Sequence, residues 1–129
     1  MTASPLAVAR ACFEAYAAKD RSAIEKLIAE DYRFTSPIDN ALDRKTYFAR
    51  CWPISKAVTG FSYVYQVEDA DRACIVYEAR TAAGNTSRNC EVHTVRNGKL
   101  IASEVYFGWD LPHKAPKGGF IENEGEENT

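Results

Sequence analysis

The feature that most limits what this chain can fold into is a change of periodicity at Gly60. Beyond it, "FSYVYQVE" (61–68), "RACIVYEART" (72–81), "SRNCEVHTV" (87–95) and "KLIASEVYFGW" (99–109) carry the two-residue alternation of β-strands. The connections between them are Asp69 to Asp71, Gly84-Asn85 and Asn97-Gly98. Links this short cannot form a crossover, so consecutive strands must be antiparallel neighbours in a meander.

Upstream of Gly60 the period is helical. Ser4-Pro5 starts a helix: a hydroxyl at the N-cap precedes a proline whose missing N–H costs nothing in the first turn. Leu6, Ala9, Phe13 and Tyr16 then share one face. Asp20 caps a second helix with an apolar stripe of Ile24, Leu27 and Ile28. A short strand follows in "DYRFTSPID", where Tyr32, Phe34 and Ser36 alternate with Arg33 and Thr35 until Pro37 ends it. Asp43 caps a third helix that turns Tyr47, Phe48, Cys51 and Trp52 inward and stops at Pro53. Three helices before a meander define an α+β fold in which the helices pack on one face of a curved antiparallel sheet. One domain over residues 1–109 is expected. From Asp110 the periodicity is lost, which predicts a flexible tail over 110–129, with Phe120 and Ile121 docking locally.

Composition bears on function mainly by exclusion. Sixteen basic and eighteen acidic residues give a net charge of −2, with no basic cluster, which disfavours nucleic acid and anionic membranes as partners. There is neither a membrane-length apolar run nor a secretory leader pattern, so a cytoplasmic protein is expected. Cys12, Cys51, Cys74 and Cys90 are widely spaced, as free thiols in a reducing compartment would be. The pattern calls for no metal and no cofactor.

The densest chemistry lies in "NCEVHTVRNGK" (89–99). Strand alternation separates Cys90 from His93, so the two cannot chelate one metal, and it leaves Asn89, Glu91 and His93 on one face. Which face depends on the turn at "RNGK". A type I turn with Gly98 in a bulge sets His93 opposite Ile101, Glu91 opposite Ser103 and Asn89 opposite Val105, on the side of the apolar row Ile101, Val105, Phe107 and Trp109. A two-residue type I′ turn slips the pairing by one and turns Cys90, Val92 and Thr94 inward instead. Across Gly84-Asn85, a two-residue loop pairs Arg80 with Asn89 and Glu78 with Glu91. The inward alternative therefore gathers Glu78, Arg80, Asn89, Glu91 and His93, where paired carboxylates raise one another's pKa and His93 exchanges protons near neutrality. The plainer alternative is a structural network neutralised by Arg80.

The segments "ARACFEAYAAKDRSAIEKLIAEDYRFTSPID" and "RNGKLIASEVYFGW" resemble the SnoaL-like branch of the nuclear transport factor 2-like superfamily, over roughly residues 5 to 109. The resemblance implies a cone: a strongly bent sheet wrapped round the first helix, enclosing a pocket whose uses range from isomerases, cyclases, dehydratases and epoxide hydrolases to plain ligand binders. It also implies a pocket carboxylate near Glu91, which favours the inward register. Against the ketosteroid isomerases, Cys12 stands at the place of the oxyanion-binding tyrosine and Ser36 at that of the base, so their standard mechanism is disfavoured. Trp52 falls at an aromatic pocket wall. The implied reading is a pocket for a small, largely apolar, oxygen-bearing molecule, with His93, Glu91 and Glu78 as acid-base candidates. Tyr16, Tyr32, Phe34, Ser36, Trp52, Tyr65, Arg80, Asn89, Ser103 and Phe107 are the candidate lining, and a homodimer through the sheet is expected. A non-catalytic binder of the same fold is the alternative.

Overall fold

A computed structural model describes residues 3–122. Helix α1 spans Pro5–Ala18, with Ser4 Oγ accepting from Ala7 N at 3.1 Å. Helix α2, Arg21–Leu27, is capped by Asp20 through Ala23 N. Helix α3, Arg44–Arg50, is capped by Asp43 through Thr46 N. Each cap satisfies one of the backbone N–H groups that a first turn leaves unpaired. Pro53 sits in a 3₁₀ turn, Trp52–Ala57, that carries the chain from α3 to the sheet.

The strands are β1 (Ile28–Ser36), β2 (Asp39–Leu42), β3 (Val58–Asp69), β4 (Arg72–Thr81), β5 (Thr86–Arg96) and β6 (Lys99–Leu111), in the order β2-β1-β6-β5-β4-β3. The meander β3 to β6 is antiparallel as expected. The sheet as a whole is mixed, because β1 pairs with β6 in parallel, with Phe34 beside Ser103. Two details differ from the sequence reading. Ile28 opens β1 rather than ending α2, and the short strand β2 went unrecognised because its four residues, Asp39 to Leu42, are too few to display a period.

The three helices pack on one face of this open, curved sheet. Helix α1 lies across it and separates two apolar clusters. Val8, Cys12 and Ala15 join Ile24, Ile28, Tyr32, Tyr47 and Leu100 on one side. Ala9 and Phe13 join Ala73, Ile75 and Tyr77 on the other. Register breaks in β3 at Thr59 and Val64 and in β6 at Ile101 and Gly108 each add one residue to one strand of a pair and bend the sheet.

Strand β6 runs two residues past the expected domain end. Of the expected tail, residues 123–129 lie outside the described residues. Phe120 and Ile121, expected to dock, are 73% and 45% exposed, whereas Ala115 is buried.

Candidate functional site

The turn at Asn97-Gly98 has φ of 54° and 77°, so both residues are left-handed, as a two-residue type I′ hairpin requires. Taken alone, that turn would send Glu91 and His93 outward. The extra residue Ile101 reverses the outcome. Val95 pairs with Leu100, but Thr94 pairs with Ala102, so His93 comes opposite Ser103, Glu91 opposite Val105 and Asn89 opposite Phe107. The Asn-Glu-His row faces the helices, by a route neither turn alone provides.

Across β4 the sequence reading fails. The connection is longer than two residues, with Arg80 paired to Thr86, Glu78 to Arg88 and Tyr77 to Asn89. Glu78 and Arg80 consequently sit on the outer face. Glu78 accepts from Arg88 at 2.5 Å, and Arg80 donates to Ser62 Oγ at 2.6 Å. The expected carboxylate pair of Glu78 and Glu91 does not exist: Ile75 stands opposite Glu91, and Tyr77 reaches that carboxylate from beside it.

The inner row is tightly connected. His93 Nδ1 and Ser103 Oγ are 2.7 Å apart, with the two residues only 4% and 2% exposed. His93 Nε2 lies 3.0 Å from Glu91 Oε1. The approach is close but poorly aligned, so Nε2 is buried beside a carboxylate without a well-directed hydrogen bond. Tyr77 donates its hydroxyl to Glu91 Oε2 at 2.5 Å. Burial and the neighbouring Glu91 charge push the Tyr77 hydroxyl far above its ordinary pKa, and the same causes push the Cys12 thiol up to about 12. Both are therefore neutral groups facing Glu91.

This row forms one wall of a cavity of about 320 Å³ between helix α1 and the sheet, at the small end of the range for small-molecule sites. Of the residues singled out in the sequence, Tyr16, Tyr32, Phe34, Ser36, Asn89, Ser103 and Phe107 line it, the last at its exposed rim. Trp52 stands edge-on against Tyr16, with ring centroids 5.6 Å apart, behind the cavity surface. Tyr65 is 62% exposed, because the break at Val64 puts it in register with Val76 on the outer face and not with Tyr63 on the inner one. Phe13, Tyr47, Phe61 and Tyr77 complete an aromatic lining.

The described lining contains no lysine or arginine; its carboxylate and imidazole side chains are those of Glu91, Asp39 and His93. Asp39 was not singled out in the sequence, although its place three residues beyond Ser36, across a Pro37-Ile38 turn, is a spacing at which the two side chains can meet. A larger depression of about 500 Å³ lies outside, among the mostly exposed Arg21, Glu30, Asp43 and Lys45. Among the described residues no group of three or more metal-ligating side chains occurs, and no helix is long and apolar enough to cross a membrane.

A curved, open sheet with three helices over its concave face and a cavity between them defines the nuclear transport factor 2-like class of α+β proteins. Within that class the chain belongs to the SnoaL-like domain family, whose pattern matches residues 9–103. No curated protein is recognisably similar to it in sequence. Among solved structures it is similar to a protein from Kribbella flavida, at 20% identity over 81% of this chain and 87% of that one, with a TM-score of 0.75. An NTF2-like protein of unknown function from Burkholderia xenovorans is 23% identical over 85% of each chain, with a TM-score of 0.69. An LEH-like epoxide hydrolase from M. tuberculosis is 14% identical over 81% and 82%, with a TM-score of 0.67. These likenesses establish the fold.

Proposed function

We propose that the chain binds a small, neutral, largely apolar molecule bearing an oxygen function, and acts on it by acid-base chemistry with Glu91 and His93. The supporting observation is the buried Ser103–His93–Glu91–Tyr77 row on the wall of an otherwise aromatic cavity. An uncharged ligand fits because no described lysine or arginine lines the cavity to neutralise an anion.

Glu91 is the more accessible of the pair and is the proton acceptor, taking a proton from a carbon beside a carbonyl or from an attacking water. Tyr77 holds its other oxygen and fixes the direction of the carboxylate. Once Glu91 carries the proton, His93 is 3.0 Å away to share it before it returns to the product, while Ser103 fixes the orientation of the ring. The proton Glu91 takes then balances three reactions: it returns to the ring oxygen as the C–O bond breaks when water opens an epoxide, to the enol oxygen in enolisation, and to the departing hydroxyl, which leaves as water, in dehydration. The fold shared with an epoxide hydrolase supports including the first.

The second reading, a non-catalytic binder, draws on the poor alignment of His93 Nε2 with Glu91. A panel of small cyclic enones, ketones and epoxides separates the two readings, with thermal stabilisation reporting binding and mass spectrometry reporting product. Product formation that falls at least a hundredfold in both Glu91→Gln and His93→Gln supports catalysis. Stabilisation without product, or turnover unchanged in both variants, refutes it. We further propose that two copies associate through the outer sheet face, where Tyr65, Val67 and Tyr106 are exposed around the half-buried Cys74, Val76 and Cys90.

A further inference from the structure

The cavity has a second polar pole, distant in sequence from the Glu91 row. Strand β1 ends at Ser36 and the chain turns through Pro37 and Ile38 into β2, so that Ser36 and Asp39 pair across the hairpin. Ser36 Oγ donates to Asp39 Oδ2 at 2.7 Å and accepts from Ile38 N at 3.2 Å. Arg50, at the end of α3, donates from Nε to Asp39 Oδ1. Ser36, Ile38 and Asp39 all line the cavity, and the Asp39 side chain is only 7% exposed.

We propose that Asp39 is a specificity-determining residue that accepts a hydrogen bond from a hydroxyl group on the ligand, at the end remote from Glu91. The proposal rests on the cavity assigned above and names which molecules it takes. Three physical points carry it. A carboxylate offers about four lone-pair sites, and Ser36 and Arg50 occupy one on each oxygen, so acceptor capacity remains. Both donors hold the carboxyl below its ordinary pKa, Ser36 first and then Arg50, so it stays an acceptor throughout the neutral range. Arg50 already balances the negative charge, so a neutral hydroxyl can be buried against Asp39 without creating an uncompensated ion, whereas an ammonium group would add one.

The chemistry thus points to a two-ended ligand: an apolar, ring-sized body, a hydroxyl held by Asp39 at the β1-β2 hairpin, and a reacting carbon or oxygen near Glu91. Ser36 is then a positioning residue that orients the carboxylate. Its hydroxyl stands where the family resemblance placed a base, with the carboxylate itself supplied from the next strand.

The test uses 2-naphthol and 2-methoxynaphthalene, which differ in the donor hydrogen and one methyl group, titrated against the full chain and followed by fluorescence. The expected result is about tenfold tighter binding of 2-naphthol, the discrimination a charge-assisted hydrogen bond provides. That preference disappears in Asp39→Ala, shrinks in Asp39→Asn, which keeps an acceptor oxygen but loses its charge, and in Ser36→Ala, and persists in Glu91→Gln. A preference abolished only in Glu91→Gln means that the hydroxyl sits at the other pole, which overturns the Asp39 assignment and leaves the cavity reading intact. Equal affinity of the wild-type chain for both probes also overturns the assignment. Binding of neither probe overturns the assignment and the cavity reading together. Circular dichroism confirms that each variant retains its fold.

Discussion

Removing the Ser103 hydroxyl tests whether the buried row is a connected unit. Ser103 and His93 are among the few buried polar residues, and Ser103 Oγ is the hydrogen-bond partner of His93 Nδ1 at 2.7 Å. In Ser103→Ala, Nδ1 keeps its burial and loses its partner, which costs about 2 kcal/mol. In a chain of this length that corresponds to a fall in Tm of roughly 6–12 °C. His93→Phe takes the imidazole from Ser103, whose hydroxyl keeps Tyr32 as a neighbour, and costs about 1 kcal/mol. The ring itself is accommodated, since Phe13 already packs edge-on against the imidazole at 5.9 Å. In the double variant neither member of the pair remains, while the Tyr32 hydroxyl loses Ser103 in the single and double variants alike, so the cost falls about 1 kcal/mol short of the sum of the singles. Urea unfolding followed by circular dichroism measures all four proteins, with unchanged m values required for the comparison. Additivity within about 0.5 kcal/mol would refute the idea that the two side chains act as a pair.

Two further predictions concern the frame and the hairpin pole. A Cβ at Gly108 would lie 2.1 Å from the Arg88 carbonyl oxygen, whereas at Gly60 its nearest obstacle is the mobile end of Arg80 at 2.7 Å. Gly108→Ala should therefore cost about 2–3 kcal/mol and Gly60→Ala under about 1 kcal/mol in denaturant unfolding, and equal costs would contradict the bulge geometry. Asp39 has its carboxyl lowered by Ser36 and then Arg50, so the stability it contributes is present above the ordinary value of 3.8 and lost as the pH falls through the lower native value. Asp39→Asn should flatten that part of the acid unfolding curve, and an unchanged curve would count against the pairing with Ser36 and Arg50.

Local physics made much of the fold readable. Ser4, Asp20 and Asp43 each cap the helix they were expected to start, because capping needs only a side-chain oxygen within three residues of an orphan N–H. The meander followed from turn lengths. What local rules missed were interruptions of the period. Val64 moved Tyr65 to the outer face, and a longer β4-β5 connection took Glu78 and Arg80 with it. The parallel pairing of β1 with β6 joins elements more than sixty residues apart, and no local signal encodes it.

The row at residues 89 to 93 marks the boundary between the two kinds of information. Sequence alone determined that Asn89, Glu91 and His93 share a face and that Cys90 does not, because alternation is a property of any extended strand. It also determined the Asn97-Gly98 turn, whose residues tolerate positive φ. Only the tertiary structure decided that the row faces the cavity. Ile101 is an extra residue in β6, accommodated because Leu100 on one side of it and Ser103 and Val105 on the other must all be buried, and only a break in register lets a two-residue turn satisfy both. Asp39 was decided in the same way: its spacing allowed contact with Ser36, but the packing of α3 against β1 and β2 brings Arg50 to it and places the group at the cavity wall.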